Sequence, residues 1–543
     1  MLRAEPAADL HFQRFDQGPS LLLLPHLFRE AFYDLGTSLE EEGVELMKCE
    51  PNYNLWFGDG ESFELSTDVA RMKEEVEKWE GKDGFERYLG FLQEAHRHYE
   101  LSVTHVLKRN FTSLFSMARP SFVRHLLALH PFESIYSRAS KYFWTERLRR
   151  VFTFGSMYMG MSPFDAPGTY SLLQYTELAE GIWYPKGGFH KVVSALVSVG
   201  ERLGVTYRLS SPVSQINLNK RRATGVTLSS GETVSADVVV INADLVYAYN
   251  NLLPPSSSAK SLSSRSASCS SISFYWAMDR QISELVTHNI FLADDYRDSF
   301  DSIFKHQLIP AQPSFYVNVP SRIDPTAAPD GKDAIVVLVP VGHLLDKREG
   351  KGVEIQDWDA MVAKARTTVF STIEARTGAS DLAGSVVKEI VNTPQSWKEV
   401  FNLDKGAILG LSHSFFNVLC FRPSTKHPSI EGLHFVGAST HPGTGVPICL
   451  AGSKVTSEQV LEGFGMAKPW ERMASGSVKK GKVKDIDMVH TLPLLSNFHI
   501  ALLILAMVLL AAVYRFDALE GLGGWHLEMM ESSRRHRGFV EFG

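Results

Sequence analysis

The chain has 543 residues, enough for two or three domains with separate cores, and carries a formal net charge of −6 with 44% hydrophobic and 21% charged residues. This composition excludes a disordered chain, and the negative balance without a long basic run argues against nucleic acid as a partner. Four cysteines, Cys49, Cys269, Cys420 and Cys449, show neither CxxC nor zinc-type spacing, which argues against a disulfide framework and for a reducing compartment.

The first residues are polar and lack the apolar region of a secretory signal. Residues 14–25 read as a turn entering an apolar segment. A helical pattern is predicted over 67–130, with Asp68 as N-cap and Val69, Met72, Val76 and Trp79 at helical intervals. It continues over 141–159, where Arg147, Arg149 and Arg150 read as the solvated basic face of an amphipathic helix. Gly187-Gly188-Phe189 starts a helix over 190–203, and short strands follow at 205–209, 213–218, 225–228 and 233–242. The Ser-rich stretch 254–271 reads as a mobile loop. Strands resume at 272–278, 314–319 and 334–340, and a helix covers 358–377.

Residues 437–452 hold the most chemistry. They follow a short apolar strand, 433–436, and lead into a helix. Gly437, Gly443 and Gly445 permit positive φ or close backbone approach to a ligand, and Pro447 suits a helical first turn. A strand, a glycine-rich turn and a helix N-terminus together seat an anionic or electron-rich group, because free N–H groups and the helix dipole point into it. The spacing alone also suits an ordinary strand-to-helix turn. Inside it, His441 reads as a structural hydrogen bond holding the turn, with a proton role as the alternative. His96, His98 and His105 read as solvated helix polarity, and no metal site is expected. Near the C-terminus every residue from 500 to 513 is apolar, and with its flanks the run is long enough to span a bilayer. It follows a basic linker containing Lys479, Lys480, Lys482 and Lys484 and reads as a membrane anchor or a deeply seated monotopic helix; a buried core helix is the other reading. Flanking charge leaves its orientation open.

Four segments, Phe15-Asp16-Gln17-Gly18-Pro19-Ser20, Trp183-Tyr184-Pro185-Lys186-Gly187-Gly188, Ala236-Asp237-Val238-Val239-Val240-Ile241-Asn242-Ala243 and the 437–452 stretch, resemble in that order the bacterial and fungal type of phytoene desaturase. These are flavin-dependent carotenoid and retinoid oxidoreductases. The Ser-rich stretch, His288-Asn289-Ile290-Phe291-Leu292 and the apolar tail resemble the fungal members, and the likeness spans residues 12–465.

The resemblance implies an α/β fold: a Rossmann-like FAD-binding domain, N-terminally truncated, with an inserted α+β substrate domain and a C-terminal apolar membrane helix. The FAD-binding domain would comprise residues 1–48, 184–250 and 431–465. The substrate domain would comprise a helical part, 49–183, and 251–430. A basic linker (466–491), the anchor (492–515) and a tail (516–543) complete the chain. Mapped by motif, Asp16, Gly18, Pro19 and Ser20 would lie near the flavin, and Val213 would meet the adenine end through its backbone. Gly437, Ala438 and Thr440 would approach the ribityl and phosphate groups, and Gly445, Val446 and Pro447 would start the helix facing the isoalloxazine ring. Phe274, Tyr275, Trp276, Phe315 and Tyr316 suit a polyene tunnel or ordinary core packing equally well.

The implied activity is dehydrogenation of 15-cis-phytoene toward lycopene-type carotenoids by hydride transfer to FAD, with NAD as an alternative cofactor or electron acceptor. Because the cofactor supplies the hard step, no catalytic triad or metal cluster is expected. A carotene isomerase or saturase is the alternative within the class. Phytoene, membrane lipid, a second copy of the chain and phytoene synthase are the implied partners, at the endoplasmic reticulum or another endomembrane. One family feature is not found: residues 1–15 contain no glycine, and Gly521-Leu522-Gly523-Gly524 fails the GxGxxG pattern that cradles a pyrophosphate. The sequence as written is therefore expected to bind flavin weakly or not at all, and a catalytically dead membrane-anchored remnant stands as the reading from another class.

Overall fold

The computed structural model describes residues 13–111, 116, 125, 127–345 and 356–471. The expected anchor, 492–515, and the tail lie outside the described residues, as does most of the basic linker; among the described residues no helix is long and apolar enough to cross a membrane.

Helix α1 (Pro25–Asp34) starts with proline in its first turn and buries Leu27, Phe28 and Phe32. Asp68 caps α2 (Val69–Glu80) as predicted, accepting from the Ala70 and Arg71 N–H groups at 2.8 and 3.3 Å. Gly81 breaks the helical run, and α3 (Lys82–Ser102) follows at once. The helix expected over 141–159 shrinks to Glu146–Val151 and a 3₁₀ stretch, Phe154–Met159. Its arginines are not a solvated face. Arg147 stacks on Phe57 and Trp79, Arg149 donates to the Phe143 carbonyl, and Arg150 donates to the carbonyls of Ala293 and Asp294. The rigid guanidinium fork suits this work of satisfying loop carbonyls. Helices α4 (His190–Arg202) and α5 (Trp358–Thr377) stand where predicted, and α6 (Val446–Gly463) follows the glycine-rich turn.

Strand β1 (Leu46–Cys49) ends where the 49–183 part expected to be helical begins, and β2 (Tyr53–Trp56) and β3 (Ser62–Leu65) lie within it, ahead of the helical pattern that starts at 67. β4 (Ile182–Pro185) pairs antiparallel with β1. β5 (Val213–Asn219), β6 (Arg222–Leu228) and β7 (Thr233–Ser235) form an antiparallel sheet of their own. The strand expected over 233–242 is split: its second half is β8 (Val239–Ile241), which belongs to another sheet. β9 (Ser270–Met278), β10 (His288–Phe291), β11 (Phe315–Asn318), β12 (Ala334–Val341) and β13 (Val386–Asn392) join β2 and β3 in a sheet of order β13-β9-β12-β11-β10-β2-β3. The β10–β2 pair is parallel and the other neighbours are antiparallel. β14 (Leu433–Phe435) pairs parallel with β8.

Two further expectations are corrected. Residues 205–209 form no strand; Leu203, Val205, Tyr207 and Leu209 are exposed instead, because no neighbour supplies the ladder that a strand needs. The Ser-rich stretch is not a plain loop. Ser256 caps a helix, Ser257–Ser263, whose Ala259 and Leu262 are buried, and the chain then runs into β9. Serine is a strong N-cap, so a low-complexity composition still encodes a helix start.

Every residue of β9 is buried, yet its two faces do different work. Ile272, Phe274 and Trp276 pack with Ile335, Val337 and Val339 of β12 against Trp358, Met361, Ala365 and Val369 of α5. Ser271, Ser273 and Tyr275 face the other way. The period-two alternation of a strand enforces this division.

Candidate functional site

A cavity of about 910 Å³ lies on the face of the large sheet opposite α5. Ser271, Ser273 and Tyr275 of β9, Tyr316 of β11, and Leu338 and Pro340 of β12 form its floor. Its other walls come from residues 17–24, the end of α3 with Val103, Val106 and Leu107, the 157–176 region, residues 242–245, and the turn into α6. Of the five aromatics weighed for a tunnel, Tyr275 and Tyr316 line the cavity. Phe274, Trp276 and Phe315 belong to the core under α5.

Gly18, Pro19, Ser20, Gly437, Ala438, Thr440, Gly445, Val446 and Pro447 all line this cavity, although some 420 positions of sequence separate the two groups. The turn has the conformation that its glycines allow. Gly437 has φ 127, and a Cβ there would stand 2.9 Å from Asn242 Nδ2, which donates to the Val436 carbonyl. Gly445, at φ 103, is the N-cap of α6 and offers no capping side chain. The N–H groups of the first turn are thus left for another acceptor, and the helix dipole favours negative charge at this point. Thr440 Oγ1 donates to the Gly437 carbonyl at 2.9 Å.

Three predicted residues stand elsewhere. Asp16 is tied down by the Tyr184 hydroxyl at 2.7 Å and the Phe189 N–H at 3.0 Å, which staples the 14–20 segment to the start of α4. Burial raises its carboxyl pKa, against those hydrogen bonds. Val213 opens β5 away from the cavity lining. His441 is buried beside it, its Nε2 bonded to the Arg109 carbonyl at 2.8 Å and its ring edge-on to Phe111. That geometry ties the turn to residues 109–111.

Sequence reasoning missed the residue that holds the turn. Arg422 is fully buried and spends its donors on carbonyls: Thr440 at 3.1 Å, Ser412 at 3.2 Å, Asn417 at 2.7 Å, Leu411 at 3.3 Å, and Ala438. Burial pulls its pKa down to about 10, which leaves it charged at neutral pH. His413 Nε2 accepts from the Thr444 N–H at 3.2 Å, and burial next to Arg422 keeps that imidazole neutral. No spacing rule links positions 413 and 422 to a glycine-rich turn. On the cavity floor, the Tyr316 hydroxyl is 2.9 Å from Ser20 Oγ and 2.8 Å from His288 Nδ1.

His98 also departs from expectation. It is fully buried, with Ser171 Oγ at 2.8 Å and the Ala128 carbonyl at 3.0 Å on its two nitrogens, and burial pulls its pKa down to about 4. Glu94, His98 and His130 bring ligand atoms within 4.8 Å of one another. Arg138 already binds the Glu94 carboxylate, with Tyr142 adding a hydrogen bond at 3.0 Å, so the local charge is matched by protein groups.

Residues 13–461 match the family model for flavin containing amine oxidoreductases. The phytoene desaturase of Fusarium fujikuroi is 64% identical over 496 residues, covering 88% of this chain and 87% of that protein. The phytoene desaturase of Neurospora crassa is 62% identical over 461 residues, covering 83% and 77%. Among solved structures, a redesigned putrescine oxidase superposes with a TM-score of 0.52 at 12% identity, covering 83% of this chain and 90% of that one, which establishes a flavin amine oxidase-like α/β fold. By sequence match over most of its length, by fold, and by relatives of this similarity, the chain belongs to the flavin containing amine oxidoreductase family, in its phytoene desaturase group.

Proposed function

We propose that this chain dehydrogenates phytoene in carotenoid biosynthesis, with FAD as the hydride acceptor. The observation that carries the reading is one continuous cavity, walled by apolar side chains such as Leu23, Leu24, Val103, Val106 and Leu172, that also takes in the glycine-rich turn and the uncapped start of α6. The apolar walls suit a long hydrocarbon, and the turn suits the ring and ribityl part of a flavin. Among the described residues no GxGxxG loop stands ready for a pyrophosphate, and none is assigned to it.

A bound flavin supplies the two-electron oxidation. The chain's own residues supply position and field. First-turn N–H groups of α6 favour negative charge developing on the group that they face. Ser20, fixed by the Tyr316 hydroxyl, holds the 17–20 segment against the cavity. Leu23, Val103 and Leu338 exclude water and align an oily substrate. We read residues 184–250 and 431–465 as the cofactor side and 251–430 as the substrate side. We read the apolar run 492–515 as the anchor to an intracellular membrane that holds the substrate.

Expression of the full chain in bacteria that accumulate phytoene tests the function. Coloured carotenoids with longer conjugated systems are expected in the extract. Unchanged phytoene beside folded protein overturns the reading. Fractionation tests the anchor: the full chain should pellet with membranes, and a chain ending at Glu471 should leave them more readily.

A further inference from the structure

Each dehydrogenation removes a hydride from one carbon and a proton from its neighbour. The electron pair of the second C–H bond becomes the new π bond, the flavin takes the hydride, and the proton needs an acceptor. An apolar cavity provides few. We propose that Tyr158, Tyr53 and Glu177 form a relay that receives this proton, an inference that rests on the desaturase reading above.

Tyr158 lines the cavity, and Tyr53 and Glu177 lie behind it. The Tyr158 hydroxyl donates to the Tyr53 hydroxyl at 2.7 Å, and Tyr53 donates to Glu177 Oε1 at 3.1 Å. Both donors point inward, from the cavity toward the carboxylate. That is the polarity a hop needs: Tyr158 takes a proton on its oxygen and passes its own to Tyr53, which passes its own to Glu177. Afterwards each hydroxyl again carries one proton and Glu177 is neutral. The carboxylate is only 1% exposed, and its Oε2 has no partner. It does not tie the fold at this point, because Asn52 Nδ2 anchors residue 177 through the main-chain carbonyl at 2.7 Å.

Burial pushes the Glu177 carboxyl up to about 8, against the Tyr53 hydrogen bond, which favours the charged form, and there it accepts and returns protons near neutral pH. The titratable groups facing the relay are Tyr53, Tyr158 and Tyr316, all raised by burial, and His288, whose ring is 5.9 Å from that of Tyr53. His288, hydrogen-bonded to Tyr316 but outside the cavity lining, is the rival acceptor, and burial pulls it down to about 3, too weak a base for the task.

The test uses the full chain loaded with flavin and phytoene in liposomes. Wild-type turnover should rise with pH through an apparent pKa near 8. Glu177→Gln should lose that limb and about a hundredfold in rate. Tyr53→Phe should show a similar loss with Glu177 intact, and Glu177→Asp should restore part of the rate together with the pH limb. Infrared difference spectra give a readout independent of turnover. A carboxylic acid band should titrate near pH 8 in wild type, at higher pH in Tyr53→Phe, which loses the hydrogen bond to the carboxylate, and be absent in Glu177→Gln. Folded Glu177→Gln with wild-type rate and pH profile overturns the relay and leaves the desaturase reading intact. If Glu177→Gln fails to fold, Tyr53→Phe at wild-type rate overturns it instead. A band that titrates in the ordinary carboxylate range also overturns it, and a wild type that forms no product overturns both.

Discussion

Replacing Arg422 by methionine removes a buried cation that holds five carbonyls in place, two of them, Ala438 and Thr440, inside the glycine-rich turn. Methionine fills similar space but donates nothing. Each lost bond from a charged donor is worth about 1.5–3 kcal/mol, and the carbonyls left behind are buried away from water. Against this, the variant no longer desolvates a guanidinium, a saving of several kcal/mol. The balance is a net loss of about 3–5 kcal/mol, a large share of a stability of about 5–15 kcal/mol. Arg422→Lys keeps the charge with three donors on a point ammonium, so its loss should be intermediate. Urea unfolding followed by tryptophan fluorescence measures both, and pigment output in phytoene-accumulating cells reports the turn. An Arg422→Met protein within about 1 kcal/mol of wild type, with unchanged pigment, would refute the reasoning.

The two faces of β9 and β12 predict different mutant classes. Phe274→Ala should cost about 3–5 kcal/mol in denaturant unfolding, while Leu338→Trp should narrow the cavity and reduce turnover with a stability change below about 1 kcal/mol. Gly437→Ala places a Cβ against Asn242 at φ 127, and a loss of about 1–3 kcal/mol is expected, with weaker flavin retention on gel filtration. Acid should destabilise the fold through His98: its folded pKa of about 4 lies below the ordinary 6.5, so between those values only the unfolded chain binds the proton. Stability then falls by about 1.4 kcal/mol per pH unit as pH drops through that window, and His98→Gln should show a shallower slope in unfolding titrations. Glu177 works with the opposite sign. Its folded pKa of about 8 lies above the ordinary 4.5, so stability falls as pH rises between them, and Glu177→Gln should gain relative to wild type at pH 8 compared with pH 5.

Much of the fold was legible where the signal was local. Asp68 capping α2, the 358–377 helix with Asp357 before it, and proline in the first turn of α6 all depend on residues within a few positions of one another. Motif order placed Gly18 to Ser20 and Gly437 to Pro447 in one site, and the fold brings both to the same cavity. The misses share a different character. The 233–242 run carries Thr233, Ser235 and Asp237 before Val238–Ile241, and a polar residue inside a strand run does not by itself show that the next strand pairs in another sheet. The arginines at 147–150 look amphipathic in sequence, yet their partners are Phe57, Trp79 and the carbonyls of distant loops.

From the sequence alone come the membership of the family, the positions of the capped helices and the glycine-rich turn, because caps, periodicities and positive-φ glycines act over one or two turns of chain. The tertiary structure alone decided which side of β9 faces a ligand, since both sides are covered and equally buried. It also decided that Arg422 clamps the turn and that Glu177 is buried behind Tyr53 and Tyr158. Those properties depend on what packs against a residue from hundreds of positions away, and burial, not residue type, sets the charge and the chemistry.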